Sequence, residues 1–192
     1  MAEAGEVRTE EQLDPEAEAR RRVALAQIRQ YPDPVLRMRA NEVEEFDRDL
    51  ARLVERMSAL MKDANGVGLA ATQVGVLRRV FVFQRERDSE DEPIALVNPE
   101  IVERSEETVS DDEGCLSLQG VLVPVERNAS IVVTGRDAEG KEQRFELDEL
   151  AARVVQHELD HLDGVLIIDR TTPDARREAL GILRPQPILG TV

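Results

Sequence analysis

The only two histidines of the chain, His157 and His161, stand four residues apart and continue a stripe that begins with Leu150 and Val154. Steps of four, three and four residues place these side chains on one face of an α-helix, and the apolar members make that the inward face. A fold that buries the stripe therefore buries two imidazoles, which need partners. Between them lies Glu158, so residues 157–161 read H-E-x-x-H. Two imidazoles one helical turn apart can grip one metal ion while the glutamate reaches a water on it. The bland alternative is an accidental match on a charged surface helix, and the apolar stripe argues against it.

Two histidines leave the ion short of a third protein ligand. One zinc-protease pattern continues to a third histidine, but Ile167 occupies that place after Gly164. Glu178 is the only later glutamate, and Cys115 is the only cysteine, set in Glu113-Gly114-Cys115-Leu116-Ser117. One cysteine forms no internal disulfide, so it is either a small buried hydrophobe or a thiolate ligand.

Composition sets the frame for this chemistry. At 192 residues and 41% hydrophobic the chain holds one core, built from aliphatic side chains because only 3% of residues are aromatic. Asp plus Glu number 40 against 25 Lys plus Arg, a net charge of −15, which excludes stable nucleic acid binding by a basic face. Residues 1–22 carry seven acidic side chains and no signal-peptide pattern, and no window approaches a membrane span. The expectation is a cytoplasmic protein with no membrane contact. Its domains are an acidic, mobile extension (1–22), a single catalytic metallohydrolase domain (23–173) and a short C-terminal tail (174–192).

Helical periodicity predicts an amphipathic helix over residues 50–61, capped by Asp47 or Asp49. Short β-branched runs predict strands at 79–83, 94–98, 121–125, 130–134 and 143–147, with 165–168 as a last short strand. Residues 84–92 (QRERDSEDE) read as a solvated connector.

A third segment, Gly66-Val67-Gly68-Leu69-Ala70-Ala71-Thr72-Gln73, lacks the G-K-[ST] of a phosphate loop. Taken in order, G-x-G-L-A-A-x-Q, E-G-C-L-S and Q-H-E-x-D-H resemble the three motifs of the peptide deformylase family, over about residues 31–170. The resemblance implies an α+β fold, with antiparallel sheets around a central H-E-x-x-H helix and an N-terminal amphipathic helix. It implies a hydrolase that removes the formyl group from the N-terminal formylmethionine of newly made proteins and releases formate.

Carried over by position, Cys115, His157 and His161 are the implied metal ligands, with water in the fourth place. A metal-bound hydroxide attacks the formyl carbon, and Glu158 is the general base and acid. Gln73 and the Leu116 N–H are the implied oxyanion donors. Val67, Gly68 and Gly120 are implied to pair with an extended peptide, and Val67, Leu150, Val154 and His157 to surround the methionine. The implied ion is Fe2+, with zinc, nickel or cobalt as substitutes. The implied partners are N-formylmethionyl nascent chains, with transient ribosome contact.

Three features depart from the common family pattern. Leu118-Gln119-Gly120 stands where many members have proline, Val125 follows Pro124 in place of a basic residue, and Arg153 takes a pocket-side helix position that is often apolar. Two rival readings are a zinc peptidase with Glu178 as third ligand and a metal-stabilised binding protein without activity.

Overall fold

The computed structural model describes residues 14–87 and 89–184. Asp14 starts the first helix by accepting hydrogen bonds from the N–H groups of Glu16 and Ala17 (2.9 and 2.8 Å), and Pro15 takes the first helical position, where an N–H is not needed. Helix α1 (Pro15–Leu25) buries Ala24 and Leu25 in a core shared with helix α2 (Arg48–Asp63). Residues 15–22 are thus helical rather than part of a mobile extension, because the apolar end of the helix docks. The rest of that expected extension, residues 1–13, lies outside the described residues.

Asp47 caps α2 by accepting from the Leu50 N–H at 2.9 Å, and Leu50, Met57, Leu60 and Met61 form its buried stripe. Strands β1 (Gly68–Ala70), β2 (Val80–Phe83), β3 (Ile94–Arg104), β6 (Ser130–Arg136) and β7 (Glu142–Asp148) form one antiparallel sheet in the order β1-β2-β3-β6-β7. Strand side chains alternate between faces. In β2, Val80 and Val82 join the core under α2, whereas Phe81 and Phe83 join a second core under α3 (Glu149–Leu162). Both sheet faces are therefore covered, which is why all four β2 residues are buried.

Strands β4 (Thr108–Gly114) and β5 (Leu122–Asn128) form a separate antiparallel pair, and α3 also packs against β5. A third core joins Val123 and Val125 of β5 to Leu118, Leu166, Ile167, Ile168 and Ala179. The α+β class with antiparallel sheets agrees with expectation. Two strands, β1 and β4, have no counterpart in the sequence reading: β1 spans three residues, and β4 (TVSDDEG) lacks apolar alternation.

The end of the chain differs from expectation in one place. Residues 167–170 form a short helix, α4 (Ile167–Arg170), rather than a strand, with Asp169 accepting from the Leu166 N–H at 2.9 Å. A short apolar run suits either state, and tertiary burial chose the helix. Helix α5 (Pro173–Ile182) then places Ala179 in the third core, so the folded unit runs past residue 173.

Candidate metal centre

Three segments converge on one point. Cys115 follows the end of β4, Gln73 sits in a 3-10 turn (Ala71–Val74) after β1, and His157, Glu158 and His161 project from α3. The Nε2 atoms of the two histidines are 3.1 Å apart, and Cys115 Sγ lies 3.2 Å from His161 Nε2. Donor atoms of these three residues all fall within 4.8 Å of one another, the only such cluster among the described residues. A tetrahedral ion with nitrogen at about 2.1 Å and sulfur at about 2.3 Å needs its donors roughly 3.3–3.6 Å apart, so this set fits an ion with little movement. Glu178 is exposed on α5 and takes no part.

His157, the histidine of the cluster nearest β4, is oriented from behind. Glu113 Oε2 lies 3.0 Å from His157 Nδ1, which makes Nδ1 the donor and leaves Nε2 free to ligate. Glu113 is itself gripped. Arg127 donates to both its oxygens (2.9 Å each) and Arg153 to Oε1 (2.8 Å). Burial would raise the Glu113 pKa, but the bonds from Arg127 and His157 outweigh it and hold the carboxyl well below the usual range. Arg127 also reaches Asp160, which the exposed Arg170 holds at 2.6 Å, so the charges alternate along a chain that runs from the interior to the surface. Sequence reasoning assigned no role to Glu113, Arg127 or Asp160. The glutamate of E-G-C was its only signal, because Arg127 meets it through strand pairing and not through sequence spacing.

Burial opposes a charge on His157, but Cys115 and Glu113 outweigh it and raise its pKa, whereas burial and the charge of His157 lower that of His161.

Glu158 is 3% exposed and its Oε2 has no hydrogen-bond partner. Burial, opposed by His157 and reinforced by Glu113, pushes its carboxyl up to about 7. Gly68 is required beside it: a Cβ there would stand 2.3 Å from Glu158 Oε1 and 2.8 Å from Val154 Cγ1. Gln73 is fixed at both ends of its amide. Its Oε1 accepts from the Ala70 N–H (2.9 Å), while Nε2 donates to Ser117 Oγ (3.1 Å) and faces Cys115 Sγ at 3.8 Å.

Gly68, Gln73, Cys115, His157 and Glu158 line one cavity together with Val67, Leu116, Leu150 and Val154, whereas His161 is not in its lining. Gly120 is not part of it; a Cβ on Gly120 would face Ile182 of α5 at 3.7 Å. Arg153 lines the wall, but its guanidinium is tied to Glu113 and to the Val125 and Val109 carbonyls (2.9 and 2.8 Å), so the charge is turned into the β4–β5 pair.

Residues 25–177 match the family model described as polypeptide deformylase. The peptide deformylase of Thermotoga maritima is 47% identical over 152 residues, covering 79% of this chain and 90% of that protein. That of Thermodesulfovibrio yellowstonii is 44% identical over 152 residues, with 79% and 92% covered. A crystal structure of peptide deformylase from Plasmodium falciparum superposes with a TM-score of 0.77 at 36% identity, over 81% of this chain and 92% of that one. The Thermotoga maritima structure does so with a TM-score of 0.72, over 76% and 97%. On its motifs, its fold and these relatives, the chain belongs to the peptide deformylase family, the enzymes that remove the N-formyl group from newly made proteins.

Proposed function

We propose that the chain hydrolyses the formamide of N-formylmethionyl nascent polypeptides at the Cys115–His157–His161 cluster, with Glu158 as the group that moves the proton. The carrying observation is the unpartnered Glu158 Oε2, buried beside a donor set sized for one ion. Bound there, the ion would act as a Lewis acid on the formyl oxygen and lower the pKa of an adjacent water. A thiolate with two imidazoles suits Fe2+, the ion we assign, as well as zinc, nickel or cobalt. Metal quantification after anaerobic purification tests that assignment; zinc alone with full activity contradicts it.

Glu158 takes a proton from water as the oxygen bonds to the formyl carbon, then delivers it to the methionine nitrogen as the C–N bond breaks and formate leaves. The raised carboxyl pKa suits a group that must both accept and return a proton near neutrality. Oxyanion charge falls to the Gln73 amide, already aimed by Ala70 and Ser117, and to the Leu116 N–H.

The peptide docks on β1. Among the described residues this strand pairs with β2 alone and its other edge has no strand partner, and Val67 and Gly68 bring that edge to the cavity. Val67, Leu150 and Val154 then offer an apolar wall to the methionine side chain. Main-chain N-methylation just after methionine should slow turnover at least about tenfold if a ladder hydrogen bond is lost to a buried group.

Among the described residues no helix is long and apolar enough to cross a membrane. A cytoplasmic location and transient ribosome contact complete the proposal, because nascent chains are the substrate. The deciding experiment is Glu158→Gln with a formylmethionyl tripeptide. Formate release should fall about 10²- to 10⁴-fold with metal content unchanged. A wild-type rate would overturn the mechanism.

A further inference from the structure

A second cavity, of about 180 Å³, shares a wall with the first: Asn65, Gly66, Val67 and Arg87 line both, and Lys62, Gln84 and Ser89 complete it. One water needs only about 10–15 Å³ on this measure, so a carboxylate fits with solvent to spare. The chain carries 40 acidic residues against 25 basic ones. Yet the described residues around this cavity include two cations and no acid.

Its polar groups are mostly donors. The Asn65 side-chain nitrogen is buried without a hydrogen-bond partner. Arg87 enters no salt bridge among the described residues. Lys62 meets Glu92 at 3.0 Å, but that glutamate side chain is 86% exposed, a pair that an incoming anion can replace. Gln84 explains how Arg87 arrives here: its N–H donates to the Val67 carbonyl (2.9 Å), and its Nε2 donates to the Ser89 and Asp91 carbonyls (3.1 and 3.2 Å). Residues 84–87 and 89–92, which read as a plain connector, are folded back onto the approach to β1.

Position along β1 tells which part of a substrate comes near. Gly68 abuts Glu158, and Gly66 abuts Leu116. A chain with its formyl end at Glu158 and Gly68 that runs back past the start of β1, alongside residues 67–65, advances about 3.3 Å per residue when extended. It therefore brings its third residue toward Asn65, Lys62 and Arg87. We infer that this annex is a carboxylate subsite that selects an acidic side chain at the third position of the formylated peptide. The inference rests on the β1 docking proposed above.

The test is formate release from formylmethionyl-alanyl-X-amides with X as Glu, Gln or Lys, the amide removing the terminal carboxylate. At low salt kcat/KM should be about fivefold higher for Glu than for Gln and lowest for Lys, with the spread shrinking as salt screens it. Arg87→Glu should invert the order of the Glu and Lys peptides. Equal values for the three peptides, or an order that Arg87→Glu leaves intact, overturns the subsite. Inhibition by acetate without any dependence on X would assign the cavity to free carboxylates and also overturn it. Should the N-methylated peptide turn over as fast as its parent while the order in X persists, the subsite stands and the β1 docking falls.

Discussion

Helices α2 and α3 pack against opposite faces of one sheet, yet they bury different chemistry. The buried residues of α2 are Leu50, Met57, Leu60 and Met61, and its charged residues face solvent. Helix α3 buries Ala152 and Val155 but also Arg153, Gln156, Glu158, Asp160 and His161. The reason is position: α2 is covered on one side, whereas α3 lies between the large sheet and the β4–β5 pair and has little solvent face left. Polar groups on α3 must find protein partners, and nearly all do. The exceptions on this helix are Glu158 Oε2 and His161 Nδ1, both at the metal cluster. One helix shows what burial requires for stability, and the other where it is relaxed for reaction.

Breaking the ion chain behind α3 should have the largest effect on stability. Arg127→Met removes the cation shared by Glu113 and Asp160 and leaves them to Arg153, His157 and Arg170, so urea denaturation should show a loss of about 3–5 kcal/mol, and chelator should extract metal faster as the brace behind His157 loosens. On the other face, Met57→Ala should cost about 2–5 kcal/mol through a cavity. Its formate release per folded molecule should not change, since α2 residues before Lys62 touch neither cavity. If Met57→Ala alters kcat, the division between the two helices is wrong.

Removing the α2 cap with Asp47→Ala should cost about 1 kcal/mol in the same measurement. The smallest effect lies at α4. Burial raises the Asp169 pKa, but Arg37, the Leu166 N–H and Arg176 outweigh it and hold the carboxyl below its ordinary value. Its folded-state pKa is therefore depressed, and its stabilisation is present above the unfolded value of about 3.9 and lost as pH falls toward the folded one. The stability gap between wild type and Asp169→Asn, below about 1 kcal/mol at this partly exposed site, should narrow between about pH 5 and 3. A gap independent of pH would show that Arg37 and Arg176 contribute packing and not charge.

Much of the site was legible because its signals are local. The spacing of His157 and His161 follows from helix geometry, and Gly68 marks the close approach of β1 to α3. What was missed depends on contacts distant in sequence. Strand β4 is polar because its one buried side chain, Glu113, meets Arg127 and Arg153 rather than an apolar layer, so no alternation announced it. Arg153 read as a change at the pocket rim; the structure turns its charge away, toward Glu113. Gly120, expected to meet the peptide, lies against α5 instead. Residues 15–22 looked too polar to order, but an Asp14–Pro15 start and two apolar residues at the far end suffice for a docked helix.

The lone thiol and the histidine pair were written in the sequence as ligand types at meaningful spacings, and so was the glutamate between them. Spacing governs what one helix turn or one tight loop brings together. Tertiary structure alone decided that Glu113 orients His157, that Arg127 and Arg153 hold Glu113, and that Arg87 and Lys62 stand beside the open edge of β1. Those contacts join residues 14 to 44 positions apart or separate segments, and the β4–β5 pairing, the packing of α3 between two sheets and the fold-back after Gln84 bring them within reach.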